Sequence, residues 1–238
     1  MIALLVSAAH ICTAQYNDST HYYTGLASNG TINNTSASSA YVLTNTLKLG
    51  VRKKSISLNS TNTWLYGQQN ARLTNNDYSS VLDFNLYRSL PHFYYWGLAD
   101  YTTSYSLQIN NQYQGGLGIA YNFIDKKDAY LNVSDGFIYE SSNITLKDNT
   151  RQQYSTCRNS FRISFRWVIQ NIFTINGMGF YQPSLEYQTD YIVKATAGAG
   201  VKLGKWFTIG TSFAYNRFNR TKKENTLFTY GITIDKYF

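Results

Sequence analysis

Between Arg158 and Trp167 the chain alternates so strictly that it reads as a strand with water on one side and oil on the other. Phe161, Ile163, Phe165 and Trp167 share one face, and Arg158, Ser160, Arg162, Ser164 and Arg166 share the other. Successive side chains of a strand point to opposite sides. An arginine held against hydrocarbon at a bilayer midplane costs about 2–4 kcal/mol. A row of three therefore faces a polar interior, and the aromatic row faces lipid. Two further segments repeat the pattern. Tyr113, Leu117, Ile119, Tyr121 and Phe123 oppose Gln114, Gly116, Gly118, Ala120 and Asn122, while Tyr191, Val193, Ala195, Ala197, Ala199, Val201 and Leu203 oppose Lys194 and Lys202.

The C-terminal segment alternates in the same way. Phe228, Tyr230, Ile232, Ile234 and Phe238 form an oily face opposite Thr229, Gly231, Thr233, Asp235 and Tyr237. A chain that finishes in mid-strand on this pattern resembles a bacterial outer-membrane barrel. The resemblance implies that the last strand closes the cylinder and that Tyr230, Ile232, Ile234 and Phe238 form a terminal signal read by the barrel assembly machinery. Lys236 interrupts the oily face near its end, where a long stem can carry the ammonium to the interface.

Composition agrees. Charged residues make up 14%, against about 25% in ordinary soluble domains, and aromatics reach 16% with 22 Tyr. No run of about 20 apolar residues follows the first dozen positions, so helical spans are excluded. Only 2 prolines occur, which suits a chain made mostly of paired backbone. The net charge of +8 is scattered over turns and polar faces rather than gathered in a block. That distribution matches anionic lipid head groups or anionic solutes, not nucleic acid.

Turn signals divide the chain into about twelve strands, at 22–31, 37–50, 55–66, 78–88, 93–105, 113–123, 129–141, 153–168, 171–183, 191–203, 206–216 and 226–238. Short connections alternate with longer polar ones, as periplasmic turns alternate with external loops in outer-membrane barrels. The fold class expected is all-β, a single antiparallel transmembrane β-barrel spanning 15–238. Two segments break the alternation. Ser60 and Asn62 share a face with Leu58 and Trp64, and Asp135 shares one with Val133 and Phe137; a bulge shifting the phase by one, or a misplaced strand boundary, would explain both.

Residues 1–14 read as an export signal, with an apolar run from Ile2 to Ile11 and Cys12-Thr13-Ala14 before Gln15 as a small-x-small cleavage site. Its removal leaves Cys157 alone, which allows neither an internal disulfide nor a cysteine-rich metal site.

The segment Gly179 to Tyr191, GFYQPSLEYQTDY, resembles a stretch in the salt-induced outer-membrane proteins (YdiY-like). There a strand runs through an aromatic-x-Pro-Ser-Leu-Glu element into an Asp-Tyr that opens the next strand. Thr24-Gly25 with Asn33-Asn34-Thr35-Ser36 is similar to the Gly/Asn/Thr-rich first hairpin of that family. The resemblance implies an outer-membrane barrel with a stress-related role, and it carries no functional residues over.

No catalytic constellation emerges. A barrel lipase or protease needs a histidine at the outer rim, whereas His21 and His92 both fall at the turn end. Glu186 and Asp190 form a carboxylate pair in one external loop, at a spacing common in solvated loops. No metal-ligand spacing is present, and Gly115-Gly116-Leu117-Gly118 lies in a strand rather than before a helix, where glycines let the barrel wall bend or make room for a facing side chain. The chain is expected not to be an enzyme and to need no cofactor. The expected lumen residues are Arg158, Arg162, Arg166, Lys194, Lys202, Glu140 and Asp235. The expected role is a stress-related envelope component in which these residues neutralise one another in a packed lumen; the alternative is a narrow channel in which they concentrate small anionic solutes. The expected surroundings are outer-membrane lipid, and the expected state is a monomer. A lipid-modifying barrel and a secreted water-soluble barrel are the competing readings; the low charge opposes the latter.

Overall fold

The computed structural model describes residues 21–35, 38–87, 92–204 and 206–237, with backbone alone at Asp235 and Tyr237. The expected signal segment and Phe238 lie outside the described residues. The strands are β1 (Tyr22–Asn34), β2 (Ser39–Lys53), β3 (Ile56–Gln69), β4 (Arg72–Leu86), β5 (Phe93–Ser104), β6 (Ile109–Asp125) and β7 (Ala129–Thr145). They continue as β8 (Arg151–Asn159), β9 (Phe161–Ile169), β10 (Phe173–Pro183), β11 (Tyr191–Lys202), β12 (Phe207–Phe218) and β13 (Lys223–Tyr237).

Every neighbouring pair is antiparallel, and the sheet closes on itself. β13 pairs with β1 from Tyr23↔Tyr237 to Gly30↔Tyr230, and β6 pairs with β7 along most of its length. β8 and β9 keep one register against β7 across Ser160, from Phe137↔Asn159 to Ser134↔Arg162, and the Ser160 N–H donates to Gly136 O at 2.8 Å. The two are halves of a single stave, so the cylinder has twelve. Around the barrel wall every stave is paired on both sides, which is what hydrocarbon demands of a spanning sheet; only where β8 projects beyond β10 does it pair with β7 alone, apart from the Arg158↔Ser184 bridge.

The two surfaces of the wall are inverted relative to a water-soluble protein. Leu117 is 70% exposed, Phe137 63% and Phe123 61%, all on the outer face, whereas Arg158 and Glu140 are fully buried inside. An apolar exterior of this extent is stable only in lipid. Rings gather toward the strand ends of that exterior. Phe93 lies 4.7 Å from Tyr121, and Tyr121 4.9 Å from Phe123. Lys236 stands 5.7 Å from the Trp206 ring.

Strand limits differ most at the end that carries the polar connections. β3 and β4 run on to a two-residue turn at Asn70 (φ 50°) and Ala71 (φ 61°), and β7 and β8 likewise pair past Ser142 as far as Thr145↔Arg151. Polar composition there marks strands that leave the membrane, not unpaired loop, because a projecting ribbon still satisfies its backbone by pairing. Ser184–Asp190 keeps the limits read from the sequence.

Neither exception to the alternation lies at a bulge. The β2–β3 register is unbroken from Ala40↔Gln69 to Lys53↔Ile56, and the β6–β7 register is unbroken from Asn111 to Asn122. Asn62 therefore shares the outer face with Leu47, and Asp135 shares it with Ile119.

Candidate functional site: the barrel interior

The interior is built by the inward row of each stave, and it is filled unevenly. Arg158 on β8 lies opposite Ile138 of β7, two positions along from Glu140. Its Nε donates to Glu140 Oε2 at 2.7 Å and its Nη2 to Glu140 Oε1 at 3.2 Å. Nη2 also reaches Asp190 Oδ2 at 2.9 Å, and Nη1 reaches the Gln182 carbonyl at 3.2 Å. Glu140 accepts further bonds from Gln114 Nε2 at 2.7 Å, Ser142 Oγ at 2.9 Å and the Tyr154 hydroxyl at 2.5 Å. A buried ion pair is tolerated only when its remaining hydrogen-bonding sites are filled in this way.

External segments fold inward over this network. Asp190 closes the Ser184–Asp190 loop, and Arg220, from the turn between β12 and β13, places Nη1 3.6 Å from Asp190 Oδ2. The Arg220 guanidinium lies between the Tyr154 ring (3.8 Å) and the Tyr187 ring (4.4 Å). The β5–β6 turn crosses the mouth. Its Ser106 Oγ donates to Asp77 Oδ2 of β4 at 2.6 Å and accepts from Asn225 Nδ2 of β13 at 3.2 Å. The next residue, Leu107, packs with Ile109, Ile144, Ile192 and Phe218 in a buried apolar cluster. Toward the turn end, the Trp96 indole lies flat on the wall, so close that a Cβ at Gly136 or Gly118 would stand 2.5 or 2.6 Å from it. Of the glycine run of β6, Gly118 thus makes room for a facing ring, one of the two roles the sequence suggests for that run.

The opposite part of the interior holds water-accessible surface. Thr196, in the middle of β11, pairs with Met178 and Ala214 on the inward register and is nonetheless exposed. Beside it, Lys194 spans the lumen from β11 to β5, with Nζ 3.7 Å from Asp100 Oδ2. Arg162 is half-buried; its Nε donates to Ser134 Oγ at 3.0 Å and its guanidinium lies 5.9 Å from the Phe180 ring. Among the described residues no carboxylate lies within 4 Å of Arg162. Arg166 is buried near the turn end, with Nη2 on the Lys127 carbonyl at 3.2 Å. Lys202 sits exposed at the turn end of β11. The Asp235 backbone pairs with Gly25, and its side chain lies outside the described residues.

Asp190, Arg220 and Asp100 are ionic groups that the sequence did not place in the interior. Asp190 reads as a solvated loop carboxylate because nothing local shows that its loop turns inward. Asp100 was not legible, because it shares a row with Tyr94, Trp96 and Leu98, whose apolar side chains give no local sign of facing the interior. Glu186 and Asp190 do not converge: Glu186 is exposed and accepts the Cys157 N–H at 3.2 Å, while Asp190 is buried on arginine. On β13, Tyr230 and Ile234 face outward and are exposed, with Ile232 between them on the same row.

Solved structures with the same architecture are outer-membrane barrels. The translocator domain of the autotransporter NalP from Neisseria meningitidis aligns with a TM-score of 0.54 at 11% identity, covering 93% of this chain and 90% of that one. The NanC porin aligns at 0.54 and 8% identity over 89% and 98%. An outer membrane channel from Pseudomonas putida F1 aligns at 0.53 and 9% identity over 98% and 100%. At such identities the likeness is one of fold. No curated protein matches the sequence. Closed staves and an apolar belt make the chain an outer-membrane β-barrel, and a family model matches residues 27–235. The chain belongs to the family described as "Protein of unknown function, DUF481".

Proposed function

We propose that this barrel is a narrow channel favouring small anionic solutes. The observation that carries the reading is Arg162: a guanidinium on the lumen wall with no described carboxylate to neutralise it, in the same interior as the exposed Thr196. Fixed positive charge in a narrow aqueous passage concentrates anions and repels cations. The outward row Tyr230, Ile232 and Ile234 with Phe238 serves, on this reading, as the signal by which the assembly machinery inserts the barrel into lipid.

Reconstitution in planar bilayers tests the channel. The expected result is small unitary current with a reversal potential shifted toward anions under a salt gradient. Arg162→Ala should lower that selectivity while leaving the heat-modifiable gel mobility of the folded barrel unchanged. A current indifferent to ion sign, or unaltered by Arg162→Ala, refutes it.

A second reading, a stress-related envelope component with a packed lumen, is favoured by the Arg158–Glu140–Asp190 network and by the turn that crosses the mouth. It predicts no conductance at all from the correctly folded protein.

A further inference from the structure

The outer face of β1 to β4 carries a row of polar side chains halfway up a surface that otherwise meets lipid. Ser28, Asn45, Asn62 and Ser80 each lie near the middle of their strands. Exposed apolar residues flank them on both sides, with Leu47, Leu49, Leu58 and Leu82 toward the turn end and Leu43 and Trp64 toward the loop end. The row is knit internally. Ser28 Oγ donates to Asn45 Oδ1 at 2.9 Å, Ser80 Oγ donates to Asn62 Oδ1 at 2.8 Å, and Asn62 Nδ2 donates to Ser60 Oγ at 3.1 Å. The Asn45 Nδ2 group has no acceptor among the described residues and points to the outside. In hydrocarbon such a donor is costly unless something supplies an acceptor.

We infer that this row is a self-association surface and that a second copy of the chain covers it. Two barrels inserted in the same sense are related by an axis along the membrane normal, and that axis preserves depth. A polar row at one height therefore meets itself. An isologous contact of this kind needs a patch that holds donors and acceptors together, and this one does: the free Asn45 amide hydrogens lie beside the Ser28 hydroxyl and the Asn45 amide oxygen, each of which has a lone pair to spare; the Asn62 oxygen is already filled by Ser80 and Tyr78. Hydrogen bonds between polar side chains hold membrane-embedded segments together in the same way. The surrounding leucines and Trp64 supply the packing area. Lipid tails cannot satisfy the row, and the interior, with or without conduction, does not enter the argument.

The test uses the full chain in vesicles of phosphatidylethanolamine and phosphatidylglycerol, in a Cys12→Ser, Cys157→Ser background so that the introduced thiol is the only one in the sequence. Asn45→Cys under copper-phenanthroline oxidation should give a disulfide-linked dimer. Leu117→Cys, on the outer face of β6, should cross-link severalfold less. Independently, Asn45→Leu combined with Asn62→Leu should weaken the dimer by about three- to ten-fold in sedimentation measurements in detergent. Gel mobility before and after heating confirms that each variant is folded. A wild-type protein that sediments as a monomer at every concentration overturns the proposal. So does equal cross-linking from positions 45 and 117, or cross-linking of position 45 in cell envelopes only to a different protein.

Discussion

Single residues show how differently this wall treats its two sides. Arg158 is fully buried, held by Glu140 and Asp190, and its neighbours fill almost every remaining hydrogen-bonding site. Removing one partner of such a pair strands the other in a low-dielectric interior, a loss of about 3–5 kcal/mol. Arg158→Ala should therefore lower the stability of the folded barrel by that order, read as the midpoint of urea unfolding in detergent. Replacing the whole triad with apolar residues of similar volume should cost much less, because no unpaired charge is left behind. Arg162 follows the opposite logic. Among the described residues it bonds a serine hydroxyl and lies by a ring, so its loss should register in ion selectivity rather than in stability.

At the scale of elements, the turn between β5 and β6 has the most consequence. Ser106 ties it to Asp77 on one rim and to Asn225 on the other, and Leu107 anchors it in the apolar cluster at the mouth. Leu107→Asp places an unpaired charge in that cluster and should drive the turn out of the mouth. If the barrel conducts, single-channel conductance should rise severalfold; an unchanged current would show that the passage runs elsewhere. Hairpin ends also explain why strand limits were hard to read. Asn, Thr, Gln and Tyr dominate the segments beyond the membrane, and in a sequence these residues look like loop whether or not they pair. Only the positive-φ positions, such as Asn70 and Ala71, mark the true turns, and φ is not written in composition.

For the whole molecule, the claim is that the solvent of the exterior is lipid. Leu117→Lys, at the most exposed large apolar residue of the outer face, should destabilise the barrel by about 2–4 kcal/mol in vesicles. Thr196→Lys, on the inward register of β11, should change stability little, because its side chain already meets water. Equal costs at the two positions, measured by denaturant titration, would mean that inside and outside have been assigned wrongly. The same outer surface decides association: a wall uniformly oily at mid-depth leaves a barrel monomeric, the state that the sequence suggests, whereas the Ser28–Asn45–Asn62–Ser80 row gives it a reason to pair.

Alternation by itself determined most of the architecture. A period of two, oily on one face and carrying arginine on the other, has a single stable arrangement in a membrane, and the number of such segments sets the number of staves. The glycine run of β6 was legible only in part, since a local gap on the inward row fits a bend in the wall as well as a facing side chain, and the structure puts a ring against Gly118 alone of that run. What lies across the lumen was not legible. Pairs such as Lys194 with Asp100 and Asn225 with Ser106 join parts of the wall far apart in the chain. No local pattern encodes which residues meet when a sheet curls into a cylinder, because that depends on the accumulated tilt and register of every stave between them. For the same reason, only closure of the barrel showed that Ser60, Asn62 and Asp135 stand in phase on the outer face and need no bulge to explain them.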